Sequence, residues 1–334
     1  MGGLEVKNNL KGANVLVTGG TGMIGRYLVD LLLRKGCRVK VVSIDDPTGL
    51  PKEVEFERLD LMRMDNCTRA CQGQDFVFSL VGIKGSPKMA RERPARFMVP
   101  MLMFNTAMME AAMRCGVKWY LYTSSVGVYH PAENFMEDDV WKTFPSEHDK
   151  FPGWAKRMGE LQAEAYAVEN GISNISIVRP ANVYGKWDNF DPASAMVIPS
   201  LISRMVSGEN PLSVWGDGTP IRDFIHAKDC ARGMLHVVER GVTSPVNLGS
   251  GAGVTIRELA ETIRDTYDEE VEIVWDTSKP SGDTKRIMDV ERALSIGFSC
   301  EVGLKEGVRE VLEWFLDNRE AHKARNNYFA AKTV

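Results

Sequence analysis

The chain has 334 residues, 44% of them hydrophobic and 26% charged, a composition that excludes whole-chain disorder and admits one large or two fused domains. Its 41 Lys plus Arg against 45 Asp plus Glu leave a formal charge of −4, without the positive field that nonspecific DNA or RNA binding requires, so no nucleic-acid partner is expected. No segment approaches the ~18 consecutive apolar residues of a membrane span, and MGGLEVKNNLKG lacks the apolar run of a signal peptide; the expectation is a cytoplasmic protein with no membrane partner.

Asn14 to Thr18 (NVLVT) is a β-branched run that enters a glycine cluster, and Met23 to Arg34 then shows helical apolar spacing up to Gly36. Strand-like runs follow at Arg38 to Ile44, Phe76 to Val81, Trp119 to Thr123 and Ile175 to Val178, with helix-compatible stretches between them. That alternation predicts an α/β fold, a doubly wound parallel sheet covered on both faces. Phe97 to Met113 is apolar almost all the way round, so as a helix it is expected to be buried on more than one side, as a core helix or at a homodimer interface, with Pro100 in its first turn. After Tyr184 the text becomes loop-like, turns helical at Val197 to Val206, and is strand-like again at Asp223 to Ile225 and Val246 to Leu248. The expected division is a dinucleotide-binding domain over 11–185, to which the chain returns at about 221–248, a discontinuous second lobe over 186–220 and 249–320, and a tail over 321–334.

Cys37, Cys67, Cys71, Cys115, Cys230 and Cys300 are scattered, and the i,i+4 pair Cys67 and Cys71 has no second pair or nearby histidine, so free thiols and no metal are expected. Between strand and helix, Thr18 to Gly25 reads TGGTGMIG. Gly19 permits the tight turn, Gly22 lets backbone N–H groups and the helix N-terminus approach a pyrophosphate, and Gly25 lets helix pack on strand, which makes this a dinucleotide loop. Asp45, 20 residues beyond Gly25 at the end of the second strand-like run, is placed to accept hydrogen bonds from the adenosine ribose and to repel a 2′-phosphate, which favours NAD over NADP. Asp60 and Leu61 follow a third short strand, where they either cap the adenine ring or stand in a surface loop.

The glycine spacing, TSSVGVY at Thr123 to Tyr129, WAK at Trp154 to Lys156 and RPANVYG at Arg179 to Gly185 resemble the extended short-chain dehydrogenase/reductase family of nucleotide-sugar epimerases, dehydratases and reductases. Asp188 to Ile202, Ile221 to Met234 and Trp275 to Asp289 are most similar to its GDP-fucose synthase branch. The resemblance implies a Rossmann domain carrying NAD, a C-terminal lobe gripping a nucleotide-diphosphate sugar, and hydride transfer at the sugar C4. It implies Ser125 and Lys156 as catalytic residues, the lysine also holding the nicotinamide ribose. Met23, Ile24, Leu80 and Pro180 join the expected cofactor contacts; Ser124, Asn182, Lys186, Val197, Arg222 and Lys279 are the expected substrate contacts, Arg222 foremost because a guanidinium binds phosphate oxygens bidentately.

The sequence departs from the family where the proton moves. The family tyrosine lies four residues before the lysine, one helical turn away; here that residue is Pro152, and no tyrosine occurs between Tyr129 and Tyr166. The branch's cysteine and histidine match Gly127 and Met196, which argues against 3,5-epimerisation, and Val126 with Gly127 in place of an acidic pair argues against 4,6-dehydration. Redox or epimerisation at one carbon remains, with an atypical proton relay through water or drawn from Lys156 first, then His148, Asp149, Tyr129, His130, Lys84 or Lys88. The alternative is a catalytically silent protein that binds NAD and a nucleotide sugar.

Overall fold

The computed structural model describes residues 6–83, 87–171, 173–191, 194–267, 270–279 and 281–319. Lys84 and the tail over 321–334 lie outside the described residues, as does the Lys88 side chain. In chain order the first half comprises β1 (Asn14–Thr18), α1 (Met23–Arg34), β2 (Arg38–Ser43), β3 (Glu55–Arg58), α2 (Met64–Cys71), β4 (Phe76–Ser79), α3 (Pro87–Glu92), α4 (Pro94–Arg114) and β5 (Trp119–Thr123). Next come α5 (Lys150–Asn170), β6 (Ile175–Pro180), β7 (Asn182–Tyr184), α6 (Val197–Val206), β8 (Leu212–Trp215), β9 (Ile221–His226) and α7 (Ala227–Glu239). The chain ends through β10 (Val246–Leu248), β11 (Gly253–Thr255), α8 (Ile256–Tyr267), β12 (Ile273–Asp276), β13 (Lys285–Arg286), α9 (Glu291–Ser295) and α10 (Leu304–Asp317).

Strands of period two send successive side chains to opposite faces, and a sheet covered on both faces must be apolar at every position. The central strands obey this. In β1, Val15 and Val17 pack on one face with the core under α1 and α7, while Leu16 packs on the other under α2, α4 and α5. Phe76 and Phe78 against Val77 in β4, and Trp119 and Leu121 against Tyr120 and Tyr122 in β5, repeat the alternation. The seven strands run parallel in the order β10-β6-β5-β4-β1-β2-β3, the doubly wound Rossmann arrangement that the sequence predicts.

The second half differs from expectation in one place. Val246–Leu248 returns to the large sheet beside β6, but Ile221–His226 does not: it pairs with β7, β11 and β13 in a separate small sheet. β10 takes the position next to β6, so β9 satisfies its backbone groups in the other sheet. A third core gathers Ile198, Leu201, Leu212, Leu259, Val308 and Phe315 from the C-terminal elements. Pro100 also moves relative to expectation. Pro94 opens α4, and Pro100 stands inside it, where it has no N–H to offer the preceding turn. The same helix buries Phe104, Met108 and Met109 and leaves Val99 and Met103 about half exposed.

Candidate active site

The glycine turn is held from behind by the sheet. Gly19 takes φ +67°, the left-handed region that glycine enters without strain. Its N–H donates to the Val42 carbonyl at 2.8 Å, and Thr18 Oγ1 accepts from the Leu80 and Val81 N–H groups at 3.1 and 3.2 Å. A Cβ on Gly25 would stand 2.6 Å from both the Gly19 carbonyl oxygen and Gly20 Cα, so only glycine lets α1 pack this closely on the turn. Gly22 caps α1 with no side-chain hydrogen bond, which leaves the first-turn N–H groups available to an anion. Thr21 Oγ1 donates to Ser43 Oγ at 2.8 Å, and Ser43 Oγ accepts the Asp45 N–H at 3.1 Å; the turn and Asp45 are thus tied together at the end of β2. Asp60 accepts the Met62 N–H at 3.0 Å, and Leu61 is buried in the core.

The ends of β5 and β6 and the start of α5 build the other wall. Ser125, in extended backbone, accepts the Gly127 N–H on its Oγ at 3.1 Å and so opens a short 3-10 turn over Val126–Val128. α5 crosses this turn with Gly153 against it; a Cβ there would collide with the Gly127 carbonyl oxygen. Lys156, buried, donates from Nζ to the Thr123 carbonyl at 2.8 Å, with the Tyr122 ring 5.4 Å away. Burial lowers its pKa to about 8, partly opposed by Glu160. One turn earlier Pro152 faces the pocket, its missing N–H costing nothing in the first helical turn.

The pocket, about 300 Å³, joins Met23 and Ile24 of the glycine turn, Ser125 and Pro180 at the sheet's edge, and Asn182 and Val197 of the second half. Other expected residues have partners elsewhere. Ser124 also borders the pocket, but its hydroxyl donates to Glu160 at 2.5 Å; Glu160 in turn holds the buried Arg179 at 2.9 and 2.7 Å, tying α5 to β6. Asn182 Nδ2 donates to the Asp223 carbonyl at 2.8 Å. Lys186 pairs with Glu310 at 2.9 Å, and Lys279 lies in the exposed turn after β12, its N–H on the Asp276 carbonyl. Arg222 is half-buried and donates to its neighbour Ile221's carbonyl at 2.8 Å, with no carboxylate partner among the described residues. Burial and nearby Arg286 lower its pKa to about 10, against the opposing pull of Asp283 and Asp149.

Two residues that sequence reasoning missed stand beside these. Arg286 reaches the pocket from β13 and pairs with Asp149 at 2.5 Å and with Asp283. Ser146 Oγ donates to Asp283, 3.0 Å from its nearer oxygen, and His148 lies 3.7 Å from it. Asp283 and Arg286 are three residues apart within Trp275 to Asp289, so the segment was visible while its partner across the chain was not. Of the proposed proton carriers among the described residues, Asp149 alone borders the pocket; the Tyr129 hydroxyl is committed to Asn247 at 2.6 Å, and His130 Nδ1 lies 3.2 Å from the Phe144 carbonyl oxygen.

A glycine turn at the carboxyl edge of a parallel sheet, opening into a pocket shared with a second set of strands, defines a Rossmann-type dinucleotide-binding protein. Residues 15–249 match the model of the NAD dependent epimerase/dehydratase family. The chain belongs to that family, and the glycine cradle fits its dinucleotide, NAD(P). A probable GDP-L-fucose synthase 1 of Oryza sativa subsp. japonica is 29% identical over 316 residues, covering 92% of this chain and 93% of the relative. Among solved structures, UDP-N-acetylglucosamine 4-epimerase from Methanobrevibacter ruminantium M1, in complex with UDP-N-acetylmuramic acid, is 25% identical with a TM-score of 0.81, covering 92% of this chain and 99% of that one. UDP-glucose 4-epimerase from Thermotoga maritima, with UDP-glucose, is 27% identical with a TM-score of 0.76, covering 92% and 100%.

Proposed function

We propose that the protein is an NAD-dependent nucleotide-sugar oxidoreductase or epimerase, cytoplasmic and homodimeric, that works at a sugar carbon, C4 of an NDP-sugar with a GDP-sugar favoured, through a proton relay without the family tyrosine. The observation that carries this reading is the single pocket in which the glycine-turn residues Met23 and Ile24, the serine Ser125 and the second-half residues Asn182 and Val197 meet. When bound, the dinucleotide supplies the hydride acceptor or donor. Asp45 receives the adenosine ribose hydroxyls, which is the reason for NAD over NADP. Lys156 holds the nicotinamide ribose, and its ammonium stabilises negative charge that develops nearby. Ser125 hydrogen-bonds the reacting sugar oxygen. Arg222, which no carboxylate among the described residues bonds directly, takes the diphosphate. The half-exposed Val99 and Met103 on α4 supply the homodimer contact.

A second reading, a silent binding protein for the same ligands, is favoured by the three positions that face the pocket with no ionisable group: Gly127, Pro152 and Met196. Losing a positioned acid or base costs about 10²- to 10⁴-fold in rate, which slows such a site and leaves it able to turn over. Incubation with NAD(H) and a panel of nucleotide sugars, GDP-mannose and its 4-keto derivative included, followed by mass spectrometry, decides. A converted sugar is expected. An unchanged panel with NAD demonstrably bound rejects the enzyme in favour of the binding protein.

A further inference from the structure

Gly127 leaves a notch beside the serine. The point its Cβ would occupy lies 3.5 Å from Ser125 Oγ and 3.5 Å from the carboxyl carbon of Asp149, so the serine hydroxyl and the carboxylate both border the side of Gly127 that carries no side chain. Asp149 stands at the N-terminus of α5, the cap position, yet makes no side-chain capping bond. Its Oδ2 is held by Arg286, and among the described residues Oδ1 has no hydrogen-bond partner. The charged groups around it are Arg286 and Arg222 from the small sheet, with Asp283 balancing the pair and His148 on Asp283. Its place in the pocket is three residues before Pro152, the position where the family's tyrosine is missing.

We propose that Asp149 is the proton acceptor that replaces that tyrosine, reached from Ser125 through an oxygen seated in the Gly127 notch. The inference rests on the nucleotide-sugar redox reading above. In the oxidising direction the carbinol C–H leaves as hydride to the oxidised nicotinamide dinucleotide, its electron pair with it, and the C=O bond forms as the O–H bond breaks. The released proton passes to Ser125 Oγ while the serine's own proton crosses the notch oxygen to Asp149 Oδ1. Asp149 ends as the neutral acid and returns the proton to solvent; reduction reverses each transfer. Arg286 holds the carboxylate on the notch side, a positioning role. Gly127 is then a working part of the site: the side chain it lacks would close the proton's route.

The test uses two variants that attack the route from opposite sides. Asp149→Asn removes the acceptor; Gly127→Ala fills the notch at ordinary contact distances and leaves the carboxylate in place, so it folds even if loss of the Asp149–Arg286 pair does not permit the first. Both are expected to lower kcat about 100-fold or more with KM for the nucleotide sugar and affinity for NAD unchanged. Crystals of the cofactor-free protein are expected to show an ordered oxygen between Ser125 Oγ and Asp149 Oδ1 in the wild type and none in Gly127→Ala. An active wild type whose two variants keep its kcat, or a wild-type notch without that oxygen, overturns the relay alone. A wild type that converts no nucleotide sugar overturns the functional reading and the relay together.

Discussion

At the start of α1, a Cβ on Gly25 would stand 2.6 Å from the Gly19 carbonyl oxygen; opposite the start of α5, a Cβ on Gly127 would meet Asp149 and Ser125 at 3.4 to 3.5 Å. Gly127 lines the pocket and Gly25 follows Met23 and Ile24, which line it; each stands where the chain leaves a parallel strand for a helical turn. At α1 the missing side chain is filled by backbone, so the glycine is required for the fold. At α5 its neighbours stand at ordinary contact distance, so the glycine is dispensable for the fold and its consequence falls on the chemistry. A shared glycine-rich appearance therefore conceals two physical roles, separable only by what surrounds the absent atom.

The largest effect expected from breaking this comparison lies in what holds α5 in place. Glu160→Ala strands the buried Arg179 guanidinium and is expected to cost about 3–5 kcal/mol, read by urea unfolding; an unchanged midpoint would mean that α5 is held by packing alone. Gly25→Ala forces the turn apart and is expected to cost about 1–3 kcal/mol and to abolish NAD binding in calorimetry. Arg222→Ala leaves stability near wild type and weakens nucleotide-diphosphate binding by about 1.5–3 kcal/mol, the size of a charged hydrogen bond, with uncharged sugars unaffected. Lys156 gives a pH test. Its folded pKa, about 8, lies below the ordinary lysine value, so between the two the unfolded chain binds more protons and stability rises with pH across that window. Activity that needs the ammonium falls through about pH 8, and Lys156→Arg moves that fall upward. The smallest effect sharpens the comparison most: Gly127→Ala is expected to change stability by less than about 0.5 kcal/mol, in contrast to Gly25→Ala.

The large sheet was legible because its strands are short apolar runs separated by helical spacing, and local pattern is enough to read them. The glycine turn was legible because its three glycines recur at three-residue intervals between a strand and a helix and act together in space. Ser125 and Lys156 became readable through resemblance, since nothing local marks a turn serine or a helical lysine as special. What escaped was assembled from distant residues. Asp149 meets Arg286 across 137 positions of chain, and β9 reads as a strand while its partners, β7, β11 and β13, cannot be told from the alternatives by periodicity. Ser124 lies beside Ser125 in a motif, yet its hydroxyl turns to Glu160 because α5 brings a buried carboxylate to it.

The seating of β10 beside β6 has a consequence for biosynthesis. The seventh strand of the large sheet is made some 66 residues after its neighbour ends, with the strands β7, β8 and β9 of the other lobe emerging in between. A growing chain therefore carries β6 as an open edge throughout the synthesis of those strands, and such edges invite wrong pairing. The large sheet cannot close before the first part of the second lobe, 186–220, has been made, and no truncation before Val246 yields a completed sheet.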